Sequence, residues 1–271
     1  MLSKLAFQSK KPLLYAAGAL TSVGITGTAL CSEMNIHPLD YGWPQDGAFS
    51  SFDYAAIRRG FQVYRQVCST CHSIQYIYFR NFVGVFNTET EIKKLAAEYE
   101  VQNDLPNEEG EMFDRPAKLF DHYPGPYKND AEGAAANGGA LPPDLSLMTK
   151  ARHNGINYVF ALLTGYTDPP AGKSVMQGTY YNPYFEGGVI AMPPPLMDGQ
   201  VEYEDGTPAT VTQMAKDVSQ FLAWCAEPEH DDRKKIGLKV GSALAIAVMV
   251  TAYYKRLRWS TLKSRKISYM D

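Results

Sequence analysis

The chain has 271 residues, 45% hydrophobic and 20% charged, with a formal net charge of −3. That length can bury a core of one or two domains; the near-neutral charge argues against a strongly basic nucleic-acid binder, and four cysteines are too few for a disulfide scaffold at this size. The charge is unevenly spread: Glu33 to Asp232 holds 28 acidic and 13 basic residues, and after Asp232 ten basic residues accompany a single acid, Asp271. An acidic body between basic flanks is the expected organisation.

The N-terminus carries three lysines and no acid before an uncharged run from Pro12 to Cys31. A basic start, a weakly apolar centre and small residues before Ser32 predict a sorting segment over 1–32, cleaved near Cys31 to Met34. The alternative, a helix that stays in the membrane, fits less well with so many Gly, Thr and Ser residues.

Asp53 predicts the N-cap of a helix running to about Cys68, with Ile57, Phe61, Tyr64 and Cys68 on one stripe. Gly60 beside Phe61 allows a second helix to cross closely. The stripe ends on Cys68-Ser69-Thr70-Cys71-His72. Two cysteines three apart followed by histidine is the attachment signature of a c-type haem. Both thiols can add to haem vinyl groups, and the histidine can supply a nitrogen to the iron. A zinc site lacks its second pair, because Cys31 and Cys225 stand alone. A thioredoxin-like pair lacks the surrounding βαβ pattern. Cys225 falls on an apolar helix stripe and reads as a small core residue.

Thr88 to Glu91 is a capping-box pattern before a short surface helix. Glu100 to Pro126 reads as a loop, with Glu108, Glu109, Glu111 and Asp114 as candidate docking acids for a basic partner. Asp130 precedes a short helical run, Ala131 to Ala136. In Leu141-Pro142-Pro143-Asp144-Leu145-Ser146 the prolines hold the backbone extended and leave carbonyls free. One of these, on Pro143, is a candidate acceptor for His72. Arg152 is a candidate partner for a haem propionate. His153 is a weak competitor for the iron, and His37, His122 and His230, in polar or terminal loops, receive no role.

Asn154 to Thr164 reads as a helix stopped by Gly165. Tyr166 to Pro208 is irregular and rich in Pro, Gly and Tyr, and such long segments are usually functional. Within it Met192 follows Gly187-Gly188 and precedes Pro193-Pro194-Pro195, so its backbone can be held across a haem face. A thioether is the soft sixth ligand that favours ferrous iron; Met197 and Met176 are the alternatives. Thr210 to Gln213 opens a last body helix with Val211, Met214, Val218, Phe221, Leu222 and Cys225 on one stripe. This helix is expected to cross the first near Gly60.

Ile236 to Tyr254 is 19 residues with Lys239 the only charge, about 29 Å as a helix and enough for one hydrocarbon core. Arg233, Lys234 and Lys235 precede it, and Lys255, Arg256, Arg258, Lys263, Arg265 and Lys266 follow. Tyr253, Tyr254 and Trp259 supply an aromatic belt. The larger basic cluster is C-terminal, which places that end in a bacterial cytoplasm or mitochondrial matrix and the body on the other side. The expected layout is a body over 33–232, a transmembrane helix over 233–254 and a basic tail over 255–271.

Arg58-Arg59-Gly60-Phe61-Gln62-Val63-Tyr64 before the cysteine motif, Leu141 to Ser146, Ala151-Arg152-His153, Asn182-Pro183-Tyr184-Phe185, Ile190-Ala191-Met192 and Trp259 to Lys266 occur in one series. In that series the chain resembles the cytochrome c1 family from about Tyr41 to Tyr269. The resemblance implies a mainly α, class I c-type cytochrome fold with long loop insertions and one C-terminal transmembrane helix. It implies one covalent haem c held by Cys68 and Cys71, ligated by His72 and Met192, with Arg152 at a propionate. It implies a redox subunit of quinol–cytochrome c oxidoreductase, not an enzyme on its own, in the mitochondrial inner membrane beside cytochrome b and the Rieske iron–sulfur protein. Electrons would pass to soluble cytochrome c at the acidic surface. A stand-alone membrane carrier feeding an oxidase or reaction centre, and a haem enzyme with an open iron position, are the competing functions.

Overall fold

A computed structural model describes residues 36–103 and 105–268, which contain seven α-helices, four short 3-10 helices and two small antiparallel strand pairs joined by long irregular stretches. The expected sorting segment, its cleavage point and Cys31 lie outside them. Helix α1, Tyr54–Gln66, begins where Asp53 accepts from the Ala55 and Ala56 amides (3.0 and 3.2 Å), as its sequence predicts. It stops two residues short of Cys68, and Cys68–Thr70 continues as a 3-10 turn. Helix α2, Glu89–Ala97, starts at Thr88, whose amide donates to Glu91 (2.8 Å).

The stretch read as a loop from Glu100 contains a hairpin. Strand β1, Glu100–Gln102, pairs with β2, Asp114–Pro116. Three-residue strands carry too little alternation to be visible in sequence. Arg115 holds the hairpin to the following turn through a fork onto Asp121 (2.6 and 2.8 Å). Helix α3, Asp130–Ala136, is capped by Asn129 rather than led by Asp130, since Asn129 accepts from the Glu132 amide at 2.9 Å. A short helix α4, Met148–Ala151, went unanticipated; α5, Gly155–Thr164, follows Asn154 in the left-handed region. Strands β3, Tyr180–Tyr181, and β4, Val189–Ile190, turn back on each other through Gly187 and Gly188, both at positive φ.

Helix α6, Val211–Ala226, crosses α1 at Gly60 as expected. A Cβ on Gly60 would lie 2.1 Å from the Asp217 carbonyl oxygen, so only glycine permits this approach. Arg59 reinforces the crossing. It donates to the fully buried Asp217 carboxylate (2.9 and 3.2 Å) and to Asp205 (3.0 Å). Phe61, Phe82, Phe86, Phe221 and Trp224 pack as an aromatic core beside it, with Phe61 and Phe82 centroids 5.0 Å apart. Cys225 is buried in the same core.

Helix α7, His230–Lys263, is a single 34-residue helix, longer than the apolar segment it contains. An 18-residue window reaches a mean hydropathy of 1.7 with none of it buried. His230 is not in a polar loop. It opens α7, buried beside Phe52 at a ring separation of 4.8 Å.

Two outcomes follow. Gly60→Ala should cost about 1–3 kcal/mol through overpacking against a backbone atom that cannot give, read as a lower denaturation midpoint; an unchanged midpoint would contradict the crossing. The Arg115 fork and the Lys118 amide hold the Asp121 carboxyl below its ordinary value, against the opposing effect of burial. Its contribution is therefore complete above the ordinary carboxylate range and fades as pH falls through the lowered folded value. Between about pH 5 and about pH 3, Asp121→Asn should lose less stability than the parent. Parallel curves would refute the assignment.

Candidate functional site

The cysteine motif follows the last turn of α1, beginning on the 3-10 turn Cys68–Thr70. The Cys71 and His72 amides both donate to the Cys68 carbonyl (3.2 and 2.9 Å), which winds Cys68, Cys71 and His72 around one turn. Buried Tyr64 donates its hydroxyl to the His72 carbonyl at 2.9 Å, and burial raises its pKa, keeping it a donor. His72 Nδ1 lies 2.8 Å from the Pro143 carbonyl. A carbonyl can only accept, so Nδ1 carries the proton and Nε2 keeps its lone pair. Burial lowers the His72 pKa and keeps the ring neutral. The same cause pushes the Cys68 thiol up to about 12.

Asp144 locks the His72 segment against the proline segment. Its carboxylate accepts from the Ser73 hydroxyl (2.8 Å), the Gln75 amide (2.7 Å) and the Ser146 amide (2.9 Å). Two further bonds run alongside: the Leu145 amide to the Ser73 carbonyl, and the Tyr76 amide to the Ser146 hydroxyl. Asp144 carried no role in the sequence reading. Its signal was there, an aspartate between a proline and a Leu-Ser step, which is a residue type that bonds backbone amides one or two positions on.

A cavity of about 600 Å³ opens against this segment, within the range of cofactor sites. Cys68, Cys71, His72, Pro143, Arg152 and Met192 all line it. The remaining wall is largely aliphatic and aromatic, drawn from α5, α6 and the β3–β4 hairpin. Met192 arrives two residues after β4, its carbonyl accepting from the Tyr166 hydroxyl at 3.1 Å. Asn182, fully buried, supports the hairpin by donating to the Leu162 carbonyl at 2.8 Å. Met176 and Met197 do not line the cavity and are 76% and 65% exposed, which separates them from Met192. Arg152 is exposed yet lines the cavity, so it stands at the rim. His153 is exposed, outside the lining, with its ring 6.4 Å from that of His37. His122 contacts the Gln75 carbonyl at 2.5 Å and tilts over Tyr78.

Glu108, Glu109 and Glu111 sit exposed at the tip of the β1–β2 hairpin and Asp114 at its return strand. Asn107 shapes the tip by accepting from the Glu109 and Glu111 amides (3.0 and 2.8 Å).

Two thiols, a neutral imidazole with a free Nε2, a thioether and a rim guanidinium around an apolar cavity are the donor set that fits a covalently attached haem. The class these residues define is therefore a c-type cytochrome. The chain belongs to the cytochrome c1 family, whose match spans residues 43–262. It is 58% identical over 254 residues to the potato (Solanum tuberosum) cytochrome c1-2, heme protein, mitochondrial, covering 93% of this chain and 97% of that one. It is 57% identical over 257 residues to the Arabidopsis thaliana cytochrome c1 1, heme protein, mitochondrial, covering 92% and 83%. The Candida albicans cytochrome b-c1 complex catalytic subunit, mitochondrial, is 51% identical over 268 residues, covering 94% and 93%.

Removing the Asp144 clamp strands the Ser73 hydroxyl and the Gln75 amide. Asp144→Ala should destabilise the haem-loaded protein by about 1.5–3 kcal/mol, measured by denaturant titration. A loss near zero would show that the segment holds without it.

Proposed function

We propose that this chain is a membrane-anchored cytochrome that carries one haem c. It passes single electrons from the Rieske iron–sulfur protein to soluble cytochrome c within the ubiquinol–cytochrome c reductase (bc1) complex. The observation that carries the reading is the convergence of Cys68, Cys71, His72 and Met192, from separate stretches of chain, on one apolar cavity. Bound there, haem supplies a one-electron iron couple.

The protein's own residues do the rest. The Cys68 and Cys71 thiols would hold the haem covalently, and His72 would offer Nε2 to its iron, with Pro143 fixing the ring. Met192 would offer a soft thioether to the same iron, a donor that favours the reduced state and raises the potential. Arg152 at the rim offers a guanidinium to a propionate. The apolar wall excludes water and strengthens each of these electrostatic effects. On this reading the haem carries the redox chemistry and the chain serves as a redox subunit of quinol–cytochrome c oxidoreductase.

Helix α7 anchors the body in the mitochondrial inner membrane, across 233–254. The basic tail, 255–271, lies in the matrix and the 33–232 body in the intermembrane space, by the positive-inside bias of the two flanks. Residues 1–32 form the sorting segment. Cytochrome b and the Rieske protein are membrane neighbours, and cytochrome c docks on Glu108, Glu109, Glu111 and Asp114. Such charges raise the encounter rate, and the rate falls with salt.

In the oxidised protein the weak far-red methionine-to-iron charge-transfer band should be present. Met192→Leu should abolish it and lower the midpoint potential, as optical redox titration would record. A wild type that lacks the band and binds carbon monoxide readily would have an open iron position, and an enzyme or sensor would then replace the carrier.

A further inference from the structure

Away from the haem cavity, one aromatic side chain stands where aromatics are not ordinarily found. Phe49 is 84% exposed, at the apex of a turn over residues 47–50. The Ser50 amide and hydroxyl both donate to the Gly47 carbonyl, at 3.2 and 2.9 Å, and close the turn. Turn apices usually carry Gly, Pro, Asn, Asp or Ser; here they are Ala48 and Phe49, both exposed.

The turn is tied to the foot of α7. Lys234 Nζ donates to the carbonyls of Gln45, Gly47 and Ser50 at 2.5, 2.7 and 3.0 Å. An ammonium has three donors, so all of them are spent on this one loop. Just beyond it, the Phe52 amide and the Tyr54 hydroxyl donate to Asp231 (3.3 and 2.8 Å). Lys234 precedes Ile236 by two residues, about 3 Å along a helix axis. From there the α7 side chains are apolar and open, Ile236 at 59% and Leu238 at 54% exposure. The turn is thus held at the level where the apolar segment begins.

We propose that the 47–50 turn is a second membrane contact, with Phe49 seated in the lipid head-group zone of the leaflet that α7 enters. This rests on the membrane-spanning reading of α7. Exposed Phe, Trp and Leu side chains beside a membrane bury at the boundary of head groups and acyl chains, and a turn already closed and tethered has little entropy left to lose on contact. A single helix leaves a body free to rock about it; a second fixed contact removes that freedom.

The test replaces Phe49 with photoreactive benzoyl-phenylalanine in the full chain, in native mitochondrial membranes, and reads the adduct by mass spectrometry after illumination. A phospholipid adduct is the expected result. A polypeptide adduct would overturn the proposal in favour of a protein neighbour, and the absence of any adduct would mean the ring faces water. Alkaline carbonate extraction separates the two levels. If the chain stays with the membrane while position 49 yields no lipid adduct, only this inference fails. If the chain is released, the membrane-spanning reading fails with it.

Discussion

At Gly60 the backbone of α1 runs directly against the carbonyl of Asp217 in α6, and the position of the cavity depends on that contact. Any side chain at residue 60 would push the helices apart, because the Asp217 oxygen belongs to a helix backbone that cannot swing aside. The approach brings the Arg59 guanidinium onto a buried carboxylate, which would be costly to leave unpaired. It also sets the end of α1, and so Cys68, Cys71 and His72, beside Val218 and Leu222 of α6 in the cavity wall. The redox chemistry proposed for the site therefore depends on a packing constraint about two helical turns away from it.

Within the cavity the two sides are held by different means. The His72 side is rigid through hydrogen bonds, from the ring to the Pro143 carbonyl, from the Tyr64 hydroxyl to the His72 carbonyl and from the Gln75 amide to Asp144. The Met192 side is held by chain geometry, with two left-handed glycines to reverse the strand, three prolines to stiffen the exit and one hydrogen bond from Tyr166. A neutral imidazole and an uncharged thioether suit a dry wall, since neither carries a charge to desolvate. The charges are kept at the rim, at Arg152, and on the hairpin tip.

Much of this was readable in sequence wherever the determinant was local. Asp53 and Thr210 cap the helices they precede. Gly60 marks the crossing, the cysteine motif lies in the wall of the cavity, and of the three candidate methionines it is Met192, between glycines and prolines, that lines it. Elements set by distant partners were not readable. The β1–β2 hairpin was hidden for another reason: its three-residue strands carry too little alternation to show a period. Lys234 read as one of several basic flanking residues, yet its ammonium is spent on three carbonyls nearly 190 positions earlier in the chain. His230 looked like a loop residue because its burial comes from Phe52, far away in sequence. Asp144 bonds amides on both sides of the site, and only the fold brings Ser73 and Gln75 within its reach.

The central claim is that one haem is attached covalently between α1 and the proline segment. Peptide mass spectrometry of the mature protein tests it most directly, on the fragment that spans Cys68 to His72. The account predicts that this fragment carries the mass of one haem through two thioether bonds, and that the load is lost when both cysteines are replaced by alanine. An unmodified fragment from protein matured in its own compartment would contradict it.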